Sequence, residues 1–337
     1  MKKNERARKA VGVAGVDVAA KTLQVAFRGS DGAVTDHELT NDAAGHAKLC
    51  ALFRAQGGRA CLEATSLYGL DVALALYDAG VEVMIANPKA ARRFIEARMT
   101  RAKTDKVDAR GLLDFVERME FVAWTPPSAA RLQLRMIARR IHDLTTLATM
   151  EKSRLHALQA TSSSPVLLLE DVRESIEAIE ARVESLVARA LTHIQADPEL
   201  ALPYAAITSV KGIKGRSAIA LLGELLLLPS EMTPRQVVAH AGLDPRPKES
   251  GTSVHGRSGI SKVGNSRLRG ALFLPAMSAS RFDPAARAFY ERLVAAGKRK
   301  NVALVALMRK LLQALWRMIH TGLPFDARKF AARPGAP

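Results

Sequence analysis

Residues 11–17 read VGVAGVD and residues 21–27 read KTLQVAF, and these two runs decide the fold of the N-terminal part. Each run is short, apolar and rich in β-branched or aromatic side chains, which predicts two strands. The turn sequence Gly29-Ser30-Asp31-Gly32 closes the second run, which indicates a hairpin.

Strands and helices alternate after this hairpin. Residues 59–63 read as a short strand ending in an acid, and residues 81–86 read as a buried strand before Asn87-Pro88. Between them, residues 67–79 have helical apolar spacing and stop at Gly80. Thr104 can cap a further helix over 105–119. This order of elements predicts an α/β layer fold for residues 1–125.

Residues 126–200 have a different pattern, in which apolar residues step by three and four in two stretches separated by Thr161-Ser162-Ser163-Ser164-Pro165. Two heptad helices around such a turn predict an antiparallel coiled-coil hairpin or two faces offered to a partner subunit. An ordinary helical linker fits the same pattern. The two seams are Leu134, Ile137, Ile141, Leu144, Ala148, Glu151, Leu155 and Leu158, and Val172, Ile176, Ile179, Val183, Leu186 and Ala190.

The composition excludes several classes of protein. With 337 residues, 48% of them hydrophobic and 25% charged, the chain has the composition of a folded protein of two or three domains. Two cysteines and eight scattered histidines favour neither a disulfide scaffold nor a zinc cage. No apolar run is long enough for a membrane span or a signal peptide, so we expect a cytoplasmic protein with no membrane partner.

The net charge of +17 is unevenly distributed. Residues 1–125 have a net charge of +3 and residues 126–200 a net charge of −1, whereas residues 201–337 hold 22 basic and 7 acidic side chains, net +15. This third part reads as mostly helical, with one Gly/Ser/Pro-rich loop over 242–264. So strong a positive field on one domain favours a nucleic-acid partner, although ribosome association, anionic membranes or solubility alone would produce a similar bias.

Four acids stand where the predicted elements end or begin. Asp17 ends the first strand and Glu63 a later one, while Asp105 and Asp108 are three residues apart on one helix face. Carboxylates that converge in this way bind Mg²⁺ (or Mn²⁺), hard ions that prefer oxygen ligands, and such ions can stabilise both oxygens of a phosphodiester exchange. Any one of these acids alone is equally consistent with a solvated loop carboxylate or a helix N-terminal charge.

At these acids the sequence resembles the DEDD transposases of the insertion-sequence 110 family, including its 1111 branch. The resemblance covers nearly the whole chain. It includes Gly-Val-Asp-Val around Asp17, Leu-Glu-Ala-Thr around Glu63 and Lys-Thr-Asp-x-x-Asp at 103–108, and further matches at 210–215, 241–245, 249–251, 260–265 and 267–269. It implies a RuvC-like ribonuclease-H-fold domain (1–125), a coiled coil (126–200) and a mostly α C-terminal transposase domain (201–337).

The resemblance also implies the chemistry. Its members pair the four acids with a serine nucleophile, and Ser250 is the matching position. A serine that attacks a DNA phosphate keeps the phosphodiester energy in a covalent link, so strands rejoin without ATP. Excision through a circular intermediate, guidance by an element-encoded bridge RNA, and a homodimer or tetramer in which one subunit's acids meet another's serine are further implications. Without the resemblance Ser250 is one loop serine among several, with Ser253, Ser258 and Ser261 as local rivals.

The basic residues fall in two groups around this serine. Residues 210–215 followed by a helix resemble half of a helix-hairpin-helix motif, in which glycines and a helix N-terminus receive a phosphate; a plain inter-helix turn is the simpler interpretation. A second group surrounds Ser250 and could stabilise phosphoryl charge. The predicted nucleic-acid contacts are Lys211, Lys214, Arg216, Arg246, Lys248, Arg257, Lys262, Arg267 and Arg269.

Three alternatives remain open from the residues themselves. The first is a RuvC-like metal-dependent nuclease, such as a junction resolvase, that uses water and forms no protein–DNA adduct. The second is a non-catalytic nucleic-acid-binding protein whose acids are structural. The third is an actin-like sugar kinase, against which the basic C-terminal part and the lack of a later glycine-rich loop both argue.

Overall fold

The computed structural model describes residues 12–54, 57–63, 67–97, 105–250 and 254–326. The chain divides into two compact units, residues 1–126 and 127–337. The first unit is mixed α/β, as the sequence predicts, and the second is mostly helical. The predicted cap Thr104 and the rival serine Ser253 lie outside the described residues. No helix in the described part is long and apolar enough to cross a membrane.

The N-terminal unit is built on a five-stranded sheet with the order β3-β2-β1-β4-β5. β1 pairs antiparallel with β2 and parallel with β4, so the sheet is mixed. Both predicted hairpin strands are confirmed, and Gly32, with φ of +82°, makes the turn after them. The elements are β1 (Gly12–Val18), β2 (Thr22–Arg28), β3 (Val34–Thr40), α1 (Ala43–Phe53), β4 (Gly58–Glu63), a 3₁₀ turn (Leu67–Gly69), α2 (Leu70–Asp78), β5 (Glu82–Ala86), α3 (Pro88–Ala97) and α4 (Asp105–Arg118).

The two faces of this sheet are covered by different helices because successive strand residues point to opposite sides. Ala14 and Val16 of β1 pack with α1 and α2. Val13 of the same strand packs with α3 and α4, as does Cys61 of β4. Odd-numbered residues at the ends of β1 and β4 therefore face α4.

Residues 126–200 form two long helices, α5 (Ala129–Gln159) and α6 (Val166–Ala196), which pack side by side with an ion pair between Lys152 and Glu180 at 2.5 Å. The buried residues follow the predicted seams from Leu134 to Ala148 and from Val172 to Ala190, except that Ala138 and Val187 are buried in place of Ile137 and Leu186. The last three positions of the first seam, Glu151, Leu155 and Leu158, are half-buried. Supercoiling and a role in subunit pairing stay predictions.

These two helices share one hydrophobic core with the helices that follow. In this core a Cβ at Gly223 would lie 2.8 Å from the Ala138 side chain, so α5 and α8 pack closely. The remaining elements are α7 (Pro198–Thr208), α8 (Gly215–Leu225), α9 (Pro234–His240), β6 (Pro245–Ser250), β7 (Val254–Ile260), α10 (Ser266–Ala271), α11 (Phe273–Phe282), α12 (Pro284–Ala295) and α13 (Lys300–Thr321).

The prediction of a loop over 242–264 is wrong in its middle, because β6 and β7 form an antiparallel hairpin there. A two-stranded ribbon is held by its backbone hydrogen bonds and needs no apolar alternation along its strands. The charged, Gly- and Ser-rich sequence of these two strands therefore shows no strand pattern. A register shift between Arg246 and Lys248 marks a bulge.

Candidate active site

The four predicted acids are brought to one edge of the N-terminal sheet. Val16 pairs with Leu62 across the parallel strands, so Asp17 and Glu63 follow side by side at the carboxyl ends of β1 and β4. Both residues belong to the face that α4 covers. Asp105 and Asp108 lie in the first turn of α4.

Gly15 explains how α4 comes so close to this edge. A Cβ at Gly15 would lie 2.2 Å from the Ala109 carbonyl oxygen and 2.2 Å from the Leu113 amide nitrogen. The backbone of α4 therefore rests directly on β1. Two ion pairs hold the outer side of the helix, because Lys106 and Arg110 contact Asp36 of β3 at 2.9 and 2.6 Å.

Mutual repulsion is visible in the electrostatics of the acids. Burial raises the pKa of Asp17, and the charges of Asp105 and Asp108 raise it further. Burial, Asp17 and Asp108 likewise raise the pKa of Glu63. Carboxylates held close together in a half-buried site disfavour one another's ionisation unless a cation binds between them. The oxygen donors fit a hard divalent ion. Nevertheless, within the described residues no three His, Cys, Asp or Glu side chains are close enough to hold a metal ion as they stand.

Arg92 is a neighbour of this site that the sequence analysis did not identify. It lies on α3, pairs with Glu96 at 2.8 Å, and its charge lowers the pKa of Glu63 against the larger raising effects. α3 follows β5, the strand beside β4, so the chain returns to the same edge. The basic pair Arg92-Arg93, a few residues after Asn87-Pro88, was the available signal.

Ser250 is the last residue of β6 and pairs in register with Val254. The base of this hairpin is firmly held. The Ser261 hydroxyl donates to the Asp244 carboxylate at 2.5 Å, and the Ser261 amide donates to the Asp244 carbonyl at 2.9 Å. Lys262 follows in the left-handed region at φ of 53°, and its amide donates to the Gly242 carbonyl. Ser261 therefore has a structural partner, unlike a free nucleophile.

A buried polar network lies beneath this base. Glu224 of α8 is 6% exposed and accepts from Arg139 of α5 at 3.0 Å and from the Asn265 side chain at 2.7 Å. Its hydrogen bonds with Arg139 and Asn265 hold its pKa low against the raising effect of burial. Asn265 also caps α10 through Leu268, and its amide donates to the His240 carbonyl. The network therefore connects α5, α8, α9 and α10. In the sequence, its only sign is Glu224, an acid inside the apolar run 218–229.

The predicted nucleic-acid contacts occupy three places in the C-terminal unit. Lys211 and Lys214 lie in the turn before α8, and Arg216 lies in the first turn of α8, paired with Glu184. Arg246, Lys248 and Arg257 lie on the hairpin, with Lys262 just past it. Arg267 pairs with Asp143 at 3.6 Å, and Arg269 donates to the Ala241 carbonyl at 2.8 Å. Arg269 is thus already engaged in holding the fold.

Comparison with known protein families shows which class of protein this chain belongs to. Residues 14–161 match a model for DEDD transposases of the IS110 type, and residues 204–291 match the model Transposase IS116/IS110/IS902 family. These matches define a DNA transposase, an enzyme that acts on DNA. One model covers the N-terminal unit and the start of the second, and the other lies within the second unit, so the chain belongs to the IS110 family.

Individual relatives agree with this assignment. The pilin gene-inverting protein of Moraxella lacunata is 29% identical over 272 residues, which cover 79% of this chain and 81% of the relative. The insertion element IS110 43.6 kDa protein of Streptomyces coelicolor is 31% identical over 211 residues, 63% of this chain and 49% of the relative. Among solved structures, T. thermophilus RuvC in complex with a Holliday junction substrate matches with a TM-score of 0.26 at 15% identity, covering 32% of this chain and 96% of RuvC.

Proposed function

We propose that this transposase excises and inserts its own element through a divalent-metal site of Asp17, Glu63, Asp105 and Asp108 and a covalent serine–DNA intermediate at Ser250. The observation that carries the proposal is the convergence of the four acids on one sheet edge, where burial and mutual repulsion raise the pKa of Asp17 and Glu63. Such crowding becomes favourable only with a bound cation.

A divalent cation bound by these four carboxylates would polarise the scissile phosphate and stabilise the charge that develops on it. Mg²⁺ or Mn²⁺ suits the all-oxygen donor set. The chain's own part is to present the carboxylates at fixed strand and helix ends. The close packing of α4 on Gly15, where an added Cβ would lie 2.2 Å from α4 backbone atoms, supports that positioning.

Ser250 supplies the nucleophile in this proposal. Its Oγ forms a bond to phosphorus while the bond from phosphorus to a deoxyribose oxygen breaks, and the hydroxyl proton ends on the leaving oxygen. The number of phosphodiester bonds is conserved, so the reverse reaction rejoins strands. The anchored base of the hairpin supports a defined position for this serine. Basic residues on the same hairpin, Arg246, Lys248 and Arg257, would stabilise the transferred charge.

The metal site is tested by substitution and by metal removal. Asp17→Asn and Glu63→Gln should abolish recombination of a plasmid that carries the element ends, and EDTA should do the same to the wild type. Asp71→Asn, an exposed acid in the first turn of α2, is the matched control and should keep activity. Full activity in EDTA would refute the metal site.

The covalent step is tested by trapping. Wild-type protein incubated with nicked element-end DNA should yield a protein–DNA adduct whose phosphorylated residue, located by mass spectrometry after digestion, is Ser250. Ser250→Ala should form no adduct, while Ser253→Ala should have a milder effect. Cleavage by Ser250→Ala, with no adduct in the wild type, would show that water is the nucleophile and that the enzyme acts as a resolvase-type nuclease.

Guidance by an element-encoded bridge RNA, a circular intermediate and a dimer or tetramer complete the proposal, and they rest on membership of the family. Protein co-expressed with the flanking element DNA should carry one defined RNA, and nuclease treatment should stop site-specific insertion. Recombination by RNA-free protein would refute guidance. Light scattering of the RNA-bound protein measures the number of subunits.

A further inference from the structure

A cavity of about 440 Å³ opens between the turn that precedes α8 and the helix α11. Gly212 forms its floor, because at φ of +95° a Cβ there would lie 2.4 Å from the Ser278 hydroxyl of α11. The turn and the helix are therefore in direct contact. The volume lies within the range of about 300–1,000 Å³ that is usual for small-ligand pockets.

Three cations line this cavity, Lys214 and Arg216 from the α8 side and Arg281 from α11. In the described part of the chain, Lys214 and Arg281 have no carboxylate partner, and the Glu184 partner of Arg216 is 67% exposed. An anionic ligand could therefore compete for all three. The net charge of +15 on residues 201–337 indicates that this ligand belongs to a polyanion.

The helix α11 also gives the cavity two exposed apolar side chains. Leu274 is 65% exposed and Phe282 is 66% exposed, both on α11. The residue after Phe282, Asp283, is buried and accepts from the Ala286 amide at 2.8 Å as the cap of α12, so the backbone beside Phe282 is held in place. Phe282 therefore offers an exposed flat ring beside an anchored helix cap, and such a ring can stack on a base of any sequence.

Cations from both walls of the cavity and an exposed ring on α11 supply the two kinds of contact that the phosphate and the base of a nucleotide need. A base inside a duplex has both faces covered by its neighbours, so it can stack on Phe282 only after it has left the stack. We propose that this cavity binds one nucleotide of a DNA strand whose base has left the stack, with its phosphate at Lys214, Arg216 and Arg281 and its base on Phe282. The proposal rests on the DNA transposase function and not on the identity of the nucleophile.

Binding measurements on the full chain test the proposal. The probes are a fluorescent 12-nucleotide oligo-dT and a 12-base-pair duplex, read by fluorescence polarisation. Phe282→Ala should weaken binding of the single strand about 5- to 150-fold, the range for loss of one base–aromatic stack, and should change duplex binding less than about twofold. Phe273→Ala, on the same helix and 47% exposed but outside the cavity, is the matched control and should leave both affinities unchanged.

Two further variants separate stacking from apolar docking. Phe282→Tyr keeps a flat ring and should keep the affinity for the single strand, whereas Phe282→Leu keeps only apolar area and should lose it. Arg281→Ala should reduce the slope of log affinity against log salt by about 0.7, as for one lost phosphate contact on a single strand. Arg173→Ala, an exposed arginine on the acidic helix α6, should not change the slope.

A photochemical experiment locates the base directly. A 5-iododeoxyuridine 12-mer should crosslink to the peptide that contains Phe282. Equal loss of duplex and single-strand binding in Phe282→Ala, or a crosslink elsewhere, would overturn the proposal. Tighter binding of oligo-rU with the same dependence on Phe282 would overturn the assignment to DNA in favour of RNA. Each of these experiments measures nucleic-acid binding. Their failure can therefore be distinguished from a failure of the Ser250 adduct assay, which tests the covalent step.

Discussion

Replacing Gly15 with alanine tests whether the close approach of α4 to β1 holds the acidic site together. The added Cβ would lie 2.2 Å from two backbone atoms of α4, at Ala109 and Leu113. No side-chain rotation can relieve an overlap with backbone atoms, so α4 must move away from the sheet. Asp105 and Asp108 would then move away from Asp17.

The cost follows from this geometry. Overpacking a core commonly costs about 1–3 kcal/mol, and overlap with two backbone atoms places Gly15→Ala near the upper end, at about 3 kcal/mol. At about 4 °C or more per kcal/mol for a unit of this size, the melting temperature of the N-terminal unit should fall by roughly 12 °C. If the proposed metal site is present, Mg²⁺ should raise the melting temperature of the wild type, and this rise should be smaller in Gly15→Ala.

The two tryptophans provide the assay, since Trp124 lies in the N-terminal unit and Trp316 in the other. In a Trp316→Phe background, thermal melting followed by fluorescence reports the N-terminal unit through Trp124, which packs against Tyr77. Gly69→Ala is the control, because its Cβ would have its nearest neighbour at 4.0 Å, and it should melt within about 2 °C of the parent. An unchanged melting temperature and Mg²⁺ response in Gly15→Ala would refute the reasoning.

Three further outcomes are expected in the C-terminal unit, each measured by urea unfolding followed by circular dichroism. Glu224→Ala leaves Arg139 without its buried partner and should cost about 3–5 kcal/mol, whereas Glu231→Ala on the surface should cost under about 0.5 kcal/mol; equal effects would contradict the buried network. Burial lowers the pKa of His240, so the unfolded state binds more protons near and below pH 6.5 and stability should fall as the pH drops through that range. His240→Gln should flatten that fall, and a pH profile identical to the wild type would contradict it. Gly270→Ala meets open space in α10 and should stabilise by about 0.4–1 kcal/mol, so a loss of stability would show an unseen constraint there.

The elements that could be predicted from the sequence are those with a buried face. β1, β2 and β5 have apolar runs, and α4 begins at Asp105 as expected. β3 was missed because it is an edge strand, VTDHELT, with hardly any buried side chain and so no apolar pattern. Along α6 the mean spacing of the buried residues from Val172 to Ile194 is nearer 3.6 than 3.5, which moves the buried position from Leu186 to Val187.

Among the site residues, too, those placed by local sequence patterns could be predicted and those placed by distant contacts could not. Asp17 and Glu63 could be placed because parallel strands end at one sheet edge, a rule that needs only local patterns. Arg92 and Glu224 could not, because their surroundings depend on elements distant in sequence, such as Arg139, which is 85 residues from Glu224. No local period encodes such a pairing.

The division of the chain into two units also has a consequence for the order in which the enzyme is made. A chain emerges from the ribosome N-terminus first, and domains fold as units. The four acids all precede residue 109 and lie in the first unit, whereas Ser250 belongs to the second. At about 5–20 residues per second, the interval between Asp108 and Ser250 is on the order of ten seconds. Under the proposed chemistry, a nascent chain therefore holds metal ligands without a nucleophile, and DNA cleavage has to wait until translation has completed the second unit.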